Sequence, residues 1–230
     1  MKKPRSSPSL KHPHLTRIIP NAITITALCT GLSSIRFALI ERWELAVSLI
    51  LIAAILDALD GRIARLLHAD SHFGAELDSL SDFISFGVAP AVVLYLYSLH
   101  LWKGTGWTLT LFFATCMALR LARFNAHIGV PEPEWAKRFS AGVPAPAGAI
   151  LGLLPLMMSF ALEIDFRTFP LFFALSLLIS GLLMISRIPT YVLKNVRIPH
   201  PYVRPILMTV AVFIAALFSI PWWILSIGAI

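Results

Sequence analysis

Four aspartates in an otherwise apolar stretch are the residues of this sequence best suited to chemistry. They form one short motif with two glycines, an alanine and an arginine, and its members are Asp57, Asp60, Gly61, Ala64, Arg65, Gly74, Asp78 and Asp82. An aspartate at the centre of a membrane helix costs ~3 kcal/mol on insertion scales, so four unpaired ones would cost on the order of 10 kcal/mol. Arg62 and Arg65 are too few to neutralise four carboxylates. Multivalent cations are therefore the expected partners, and oxygen-only ligands favour Mg²⁺, Mn²⁺ or Ca²⁺ over zinc.

Helical geometry predicts that these carboxylates can converge. From Asp57 to Arg65 the motif residues are spaced i, i+3, i+4, i+7 and i+8, which is the spacing of a single stripe on a helix. Asp57 and Asp60 are separated by ~4.5 Å of helical rise, and Asp78 and Asp82 by ~6 Å. Two such pairs on facing helices could surround one or two divalent ions.

Gly61 and Ala64 lie on the same predicted stripe and remove bulk beside the carboxylates. A glycine within a helix costs ~1 kcal/mol relative to alanine, which indicates close approach by a ligand or by another helix. Helix packing would explain the glycines taken singly. It does not explain why carboxylates occupy the same face.

The composition around this motif is that of a membrane protein. Of the 230 residues, 57% are hydrophobic and 13% are charged, whereas globular domains carry about 25% charged residues. Apolar runs of ~20 residues predict membrane spans. These lie at 17–38, 44–66, 76–99, 106–125, 144–163, 168–186 and 203–219, with 221–230 as an incomplete eighth. The expected fold is an all-α, polytopic membrane helix bundle of about seven or eight transmembrane helices, in which a basic tail (1–16) precedes a single membrane domain (17–230).

The distribution of basic residues predicts how this bundle is oriented. Of the 19 Lys and Arg residues, those expected on the side opposite the N-terminus are only Arg36, Arg42, Lys103 and Arg167. By the positive-inside rule the N-terminus is then cytoplasmic, and all four motif carboxylates are expected to lie just beneath the cytoplasmic headgroups. The expected location is the inner membrane. The net charge of +7 indicates basic loops that face an anionic leaflet rather than a nucleic-acid partner.

The spacing Asp57-x2-Asp60-Gly61-x2-Ala64-Arg65-x8-Gly74-x3-Asp78-x3-Asp82 resembles the signature of the CDP-alcohol phosphatidyltransferases, with every position present. The resemblance implies a membrane enzyme that binds two divalent ions, Mg²⁺ or Mn²⁺, together with CDP-diacylglycerol. Such an enzyme transfers the phosphatidyl group to a hydroxyl, releases CMP and is expected to be a homodimer.

The resemblance also implies roles for the motif residues. By position, Asp57, Asp60 and Asp78 would be metal ligands, and Asp82 would be a ligand or the catalytic base. The residues expected to line the CDP pocket are Gly61, Ala64, Arg65 and Gly74.

Segments outside the motif resemble one branch of the family, the phosphatidylserine synthases, which implies L-serine as the acceptor alcohol. These segments are 19–24, 78–91, 120–125 and 142–147, and the similarity covers roughly residues 18 to 150. Two positions depart from the pattern of the branch. Ala145 stands between two prolines where a serine is usual, and no second asparagine occurs near Ala27.

Four polar residues are candidates for binding the acceptor or a phosphate, namely Ser81, Arg120, Arg123 and Asn125. The guanidinium fork of arginine suits a phosphate or the serine carboxylate. Each candidate also has a structural explanation. The arginines are placed to anchor the membrane side that carries positive charge, Asn125 to end a helix, and Ser81 to pack between helices.

Two alternative functions follow from the same residues. The first is the same reaction on glycerol 3-phosphate, inositol phosphate or choline, although a phosphorylated acceptor should need several converging cations. The second is a cation channel or transporter, which predicts polar residues continuing across the membrane. Residues 45–56 and 84–96 are apolar except for Ser48, Ser85 and Tyr95 and carry no charge, and this asymmetry favours a one-sided site.

Overall fold

Two long helices joined by a tight turn form the base of the fold. The computed structural model describes residues 13–67, 71–126, 139–186, 189–191 and 221–228. Helix α1 (Pro13–Leu39) and helix α2 (Trp43–Leu66) pack against each other more extensively than any other two elements in these ranges. The buried residues of α1 recur every three or four positions and are all small, and they are Pro20, Thr24, Ala27, Gly31, Ser34 and Ala38. Small side chains along this stripe let the neighbouring helices approach closely.

The next segment is one membrane-length helix with an irregular centre. Helix α3 (His72–Asp82) begins at Ser71, whose hydroxyl accepts the backbone N–H of Gly74 at 3.0 Å, as an N-cap residue does. It continues through a π-helical segment (Phe83–Val88) into α4 (Ala89–Tyr97). Pro90 has no N–H to donate, so a regular α-helical ladder could not pass this point. The predicted span at 76–99 is therefore a single apolar helix with a π segment directly after Asp82.

Four further helices complete the bundle in the part of the chain that the structure describes. A 3₁₀ turn (Leu99–Trp102) leads into α5 (Gly104–Ala126), and two further helices follow, α6 (Ala145–Leu162) and α7 (Pro170–Ile185). Helix α7 packs against both α5 and α6. Helix α8 (Pro221–Gly228) lies against α6, where the rings of Phe160 and Trp222 are 4.8 Å apart. A short antiparallel pair joins strand β1 (Phe139–Ala141) to strand β2 (Pro189–Tyr191), with Ser140 opposite Thr190.

The structure confirms the prediction of an all-α, polytopic membrane bundle, and the three-residue strands are a minor addition. Among the described residues, four helices are long and apolar enough to cross a membrane, and these are Ile18–Leu39, His72–Tyr97, Gly104–Ala126 and Ala145–Leu162. Helix α2 is equally long but carries the charged motif residues. Helix α7 is apolar but has 16 residues. The predicted span 203–219 lies outside the described residues, and α8 has 8 residues, or ~12 Å, which is too short to span.

The end of the bundle far from the motif is held together by Arg167. Its guanidinium carbon lies 5.2 Å from the ring centroid of Trp43 and 5.1 Å from that of Tyr97. It also forms ion pairs with Glu41 at 3.5 Å and Asp165 at 3.8 Å. One side chain thereby joins the α1–α2 turn, α2, α4 and the α6–α7 connection. We call this group the Arg167 cluster.

Replacing Arg167 with alanine is expected to lower the free energy of unfolding by about 1–3 kcal/mol, because two cation–π contacts and two ion pairs are lost. Unfolding in detergent micelles would measure this. Arg36→Ala, at an exposed arginine near the same end, is the matched control and should change the stability by less than about 0.5 kcal/mol. A stability of Arg167→Ala equal to that of the control would contradict the role given to the cluster.

Candidate metal and nucleotide site

Three of the four motif aspartates meet at one end of the bundle. Carboxylate oxygens of Asp57, Asp60 and Asp78, one from each residue, all lie within 4.8 Å of one another. Asp57 and Asp60 come from α2, and Asp78 comes from α3. The prediction that two facing helices bring their carboxylates together is confirmed for these three residues.

The position of the first pair follows from the packing of α2. The core-facing residues of this helix include Ala46, Ile50 and Ala53, at intervals of three and four. Asp57 and Asp60 continue the same series, so they point toward α1 and α3 rather than toward lipid. Asp60 is buried and Asp57 is partly buried.

Asp82 lies one helical turn beyond Asp78 and deeper in the bundle. Asp57 is within hydrogen-bonding reach of both Asp78 and Asp82, which links the two pairs. The Oδ1 atom of Asp82 is buried and has no hydrogen-bond partner among the described residues. Arg120, on α5, is close enough to Asp82 for their charges to interact.

The donor set of this cluster fits a hard divalent cation. Two like charges 4 Å apart repel by about 4 kcal/mol at an effective dielectric constant of about 20, so three carboxylates this close strongly destabilise one another when ionised. A cation between them removes this repulsion. The unpartnered Oδ1 of Asp82 is a further oxygen that such an ion would satisfy. Carboxylate-only ligation favours Mg²⁺, Mn²⁺ or Ca²⁺.

A residue of α1 completes the surroundings of Asp60. The hydroxyl of Thr24 donates a hydrogen bond to Oδ2 of Asp60 at 2.5 Å, and the hydroxyl of Ser81 donates to the backbone carbonyl of Thr24 at 3.3 Å. Thr24 is not among the site residues predicted from the sequence. Its only signal was its place in the segment 19–24, which resembles the family, because a contact across 36 residues leaves no periodic trace.

The two motif glycines have different surroundings. A Cβ added to Gly61 would meet no atom within 4 Å, so the space beside this residue is open. A Cβ added to Gly74 would lie 3.0 Å from Oγ of Ser71 and 3.2 Å from Oδ1 of Asn21. Packing within the protein therefore explains Gly74, whereas the neighbouring protein atoms do not require a glycine at Gly61. On the same turns of α2, Ala64 is half-buried and Arg65 is exposed.

The other predicted site residues lie on the helices around the cluster. Nε of Arg120 donates to the carbonyl of Val143 at 2.8 Å. Arg123 donates from Nη1 to the carbonyl of Ile185 at 2.8 Å, and from Nη2 to two neighbouring carbonyls, so it caps the end of α7. Nδ2 of Asn125 donates to the hydroxyl of Ser79 at 3.0 Å, and this bond joins α5 to α3 beside Asp78. Ser81 is buried between α3 and α1.

Comparison with known proteins gives consistent matches along the chain. The family model described as CDP-alcohol phosphatidyltransferase matches residues 17–192. A protein of Mycobacterium leprae named CDP-diacylglycerol–serine O-phosphatidyltransferase is 42% identical over 209 residues, which is 90% of this chain and 69% of the relative. A protein of the same name from Helicobacter pylori (strain ATCC 700392 / 26695) is 33% identical over 91% of this chain and 85% of the relative. A third, from Methanocaldococcus jannaschii, is 37% identical over 74% of this chain and 72% of the relative.

Proposed function

The chain belongs to the CDP-alcohol phosphatidyltransferase family, and on that basis we propose that it makes phosphatidylserine. It would transfer the phosphatidyl group of CDP-diacylglycerol to the hydroxyl of L-serine and release CMP. The relatives that cover most of the chain carry the name of this activity. The structural observation that carries the proposal is the convergence of Asp57, Asp60 and Asp78 within 4.8 Å.

The aspartates would hold the divalent cations of the reaction. Asp57, Asp60 and Asp78 would form the first ligand group and Asp82 would share a second ion, so that two Mg²⁺ or Mn²⁺ ions per site are proposed. When bound, the ions neutralise the diphosphate and stabilise charge on the attacking and leaving oxygens. The unpartnered Oδ1 of Asp82 supports this assignment.

Asp82 is also proposed as the base that activates serine. The serine hydroxyl oxygen forms a bond to the phosphorus that bears the diacylglycerol, and the bond from this phosphorus to the oxygen bridging it to CMP breaks. The electron pair of the broken bond leaves with CMP, and the hydroxyl proton passes to the carboxylate of Asp82. Asp82 as a whole is partly buried, but its Oδ1 atom is buried and so is shielded from bulk water.

We propose that the nucleotide and its phosphates bind on the open side of the carboxylate cluster, beside Gly61. Gly61, Ala64 and Arg65 would line the CDP pocket, because they follow Asp57 and Asp60 on α2 and the space beside Gly61 is open. Arg120 uses Nε for the carbonyl of Val143, and its Nη groups are suited to a phosphate or to the serine carboxylate.

Four of the predicted contacts are better explained as supports of the helices. Arg123 and Asn125 bind protein groups on α7 and α3, Ser81 is buried against α1, and Gly74 packs against Ser71. We propose that these residues hold the helices around the site rather than contact substrate.

The proposed membrane placement follows from the charge distribution of the sequence. We propose an integral protein of the inner membrane whose carboxylate end faces the cytoplasm, where serine and CMP are dissolved. The diacylglycerol tails would stay in the bilayer while the nucleotide enters the site. A homodimer is part of the proposal, and the mass of the detergent-solubilised protein would test it.

Serine-dependent release of CMP tests the proposed function directly. Purified protein in mixed micelles with CDP-diacylglycerol and Mg²⁺ or Mn²⁺ is expected to release CMP only when serine is present, and chelation with EDTA should stop the reaction. The same assay with glycerol 3-phosphate, inositol phosphate or choline identifies the acceptor. Release with one of these and not with serine would overturn the assignment of serine but keep the reaction class. Metal uptake into liposomes without any CMP release would overturn both.

A further inference from the structure

Among the described side chains of α1, only that of Thr24 forms a hydrogen bond to a motif aspartate. We propose that Thr24 is a positioning residue of the metal site, which orients the carboxylate of Asp60 for the cation. This inference rests on the metal site of the proposed function. It assigns to α1, a helix without a motif residue, a direct part in shaping that site.

The contact has the geometry of a strong hydrogen bond. The distance from Oγ1 of Thr24 to Oδ2 of Asp60 is 2.5 Å, which is at the short end of the range for hydroxyl groups bound to carboxylates. Only 5% of Thr24 and 4% of Asp60 are exposed, so water does not compete for either group. The bond to Oδ2 therefore holds the Asp60 carboxylate in one orientation beside the other carboxylates of the cluster.

Other threonines of the same helix show that this arrangement is unusual. Thr26 and Thr30 donate their hydroxyl protons to the carbonyls four residues earlier, at 2.8 and 2.7 Å, as helical threonines commonly do. The matching distance from Thr24 to the carbonyl of Pro20 is 3.1 Å. A hydroxyl has one proton, so Thr24 gives it to the closer and charged acceptor. Its hydroxyl is therefore diverted from its own helix to Asp60.

Thr24 also forms a hydrogen bond to α3, the second helix that carries motif carboxylates. Its backbone carbonyl accepts the hydroxyl proton of Ser81, the residue before Asp82. One residue of α1 is thus bonded to α2 through its side chain and to α3 through its backbone. Because the cluster needs oxygens from both helices within 4.8 Å, this double attachment helps to set the separation of the two carboxylate pairs.

Two substitutions separate positioning from simple packing. Thr24→Val keeps the shape and loses the hydroxyl, whereas Thr24→Ser keeps the hydroxyl and loses a methyl group. Partners that orient metal ligands typically contribute about 10–100-fold to metal affinity. We therefore expect Thr24→Val to weaken Mn²⁺ binding by at least about 10-fold and Thr24→Ser to stay within about threefold of the unchanged protein. Packing alone predicts the reverse order.

The measurement is a titration of the full-length protein in detergent with Mn²⁺ alone, in which electron paramagnetic resonance counts the free ion. Thermal unfolding of the same samples reports whether each variant is folded. Thr26→Val, at an exposed threonine of the same helix, is the matched control and should bind Mn²⁺ as the unchanged protein does.

The outcomes distinguish this inference from the proposed function. Unchanged Mn²⁺ affinity in folded Thr24→Val overturns the positioning role, even if the enzyme makes phosphatidylserine. An equal loss in Thr24→Ser and Thr24→Val also overturns it. If instead Mn²⁺ binding follows the expected order but no acceptor supports CMP release, the positioning role holds and the proposed reaction fails.

Discussion

Asp78→Asn is expected to lower the rate of serine-dependent CMP release by on the order of 10³-fold, the upper end of the loss seen when one electrostatic contact to a transition state is removed. The change keeps the shape of the side chain and removes its charge. Asp57 and Asp60 both come from α2, so Asp78 is the member of the 4.8 Å cluster that brings in the second helix. Without the Asp78 carboxylate, the ligands that this cluster offers a cation would all come from α2. Initial rates of CMP release at saturating Mg²⁺ would measure the effect.

Glu76→Gln is the matched control, because Glu76 is an exposed acid on the same helix. It undergoes the same chemical change two residues away and is expected to leave the rate within about twofold. Retention of more than a tenth of the activity by Asp78→Asn would contradict the role of Asp78 as a ligand.

The same substitution should change the stability with opposite sign in the presence and absence of metal. Repulsion among the carboxylates of Asp57, Asp60 and Asp78 destabilises the metal-free protein, and an amide at position 78 removes part of it. Asp78→Asn is therefore expected to unfold at a higher temperature than the unchanged protein in EDTA. In excess Mg²⁺ it should unfold at a lower temperature, because ligand binding no longer adds as much stability. A variant that is less stable in both conditions would indicate that Asp78 has a packing role instead.

Gly61→Ala is expected to give a more stable protein that is about 10²-fold less active. Alanine is favoured over glycine inside a helix by about 0.5–1 kcal/mol, and the added methyl group meets no protein atom within 4 Å. If the open space receives the nucleotide, however, the methyl group displaces the substrate, and a shift of ~1 Å can cost ~10²-fold in rate. Thermal unfolding and the KM for CDP-diacylglycerol would measure the two effects.

Gly104→Ala is the control for this prediction. A Cβ at Gly104 also meets nothing within 4 Å, but the residue begins α5 at the other end of the bundle. The rate of CMP release by the Gly104→Ala variant should therefore equal that of the unchanged protein. If Gly61→Ala retains full activity as well, the open space beside Gly61 faces lipid or solvent and is not the nucleotide pocket.

The sequence was sufficient to predict the helices and the convergence of three carboxylates, because both depend on regular patterns. Apolar runs located the helices to within a few residues in the described ranges. Helical spacing put Asp57 and Asp60 on one face, and burial of Ala53 and Ile50 shows that this face is directed toward the core. The same spacing also grouped Gly61 and Arg65 with the aspartates, although both are exposed while Asp60 is buried.

Features that depend on contacts distant in sequence, or on irregular backbone, could not be predicted in this way. The bond from Thr24 to Asp60 joins residues on different helices. The capping of α7 by Arg123 depends on where the end of α7 comes to lie. The π segment Phe83–Val88 is uniformly apolar apart from Ser85, so a pattern that assumes 3.6 residues per turn gives no sign of it.

The Arg167 cluster has a mechanical consequence for the site at the other end of the bundle. It fixes α2 beside Trp43, and Asp57 lies 14 residues further along the helix, which is about 21 Å at 1.5 Å per residue. At this distance, a tilt of α2 by about 3° about Trp43 would move Asp57 by about 1 Å. A small pivot of α2 about the Arg167 cluster would therefore change the separation between its carboxylates and that of Asp78, while the contacts of the cluster stay in place.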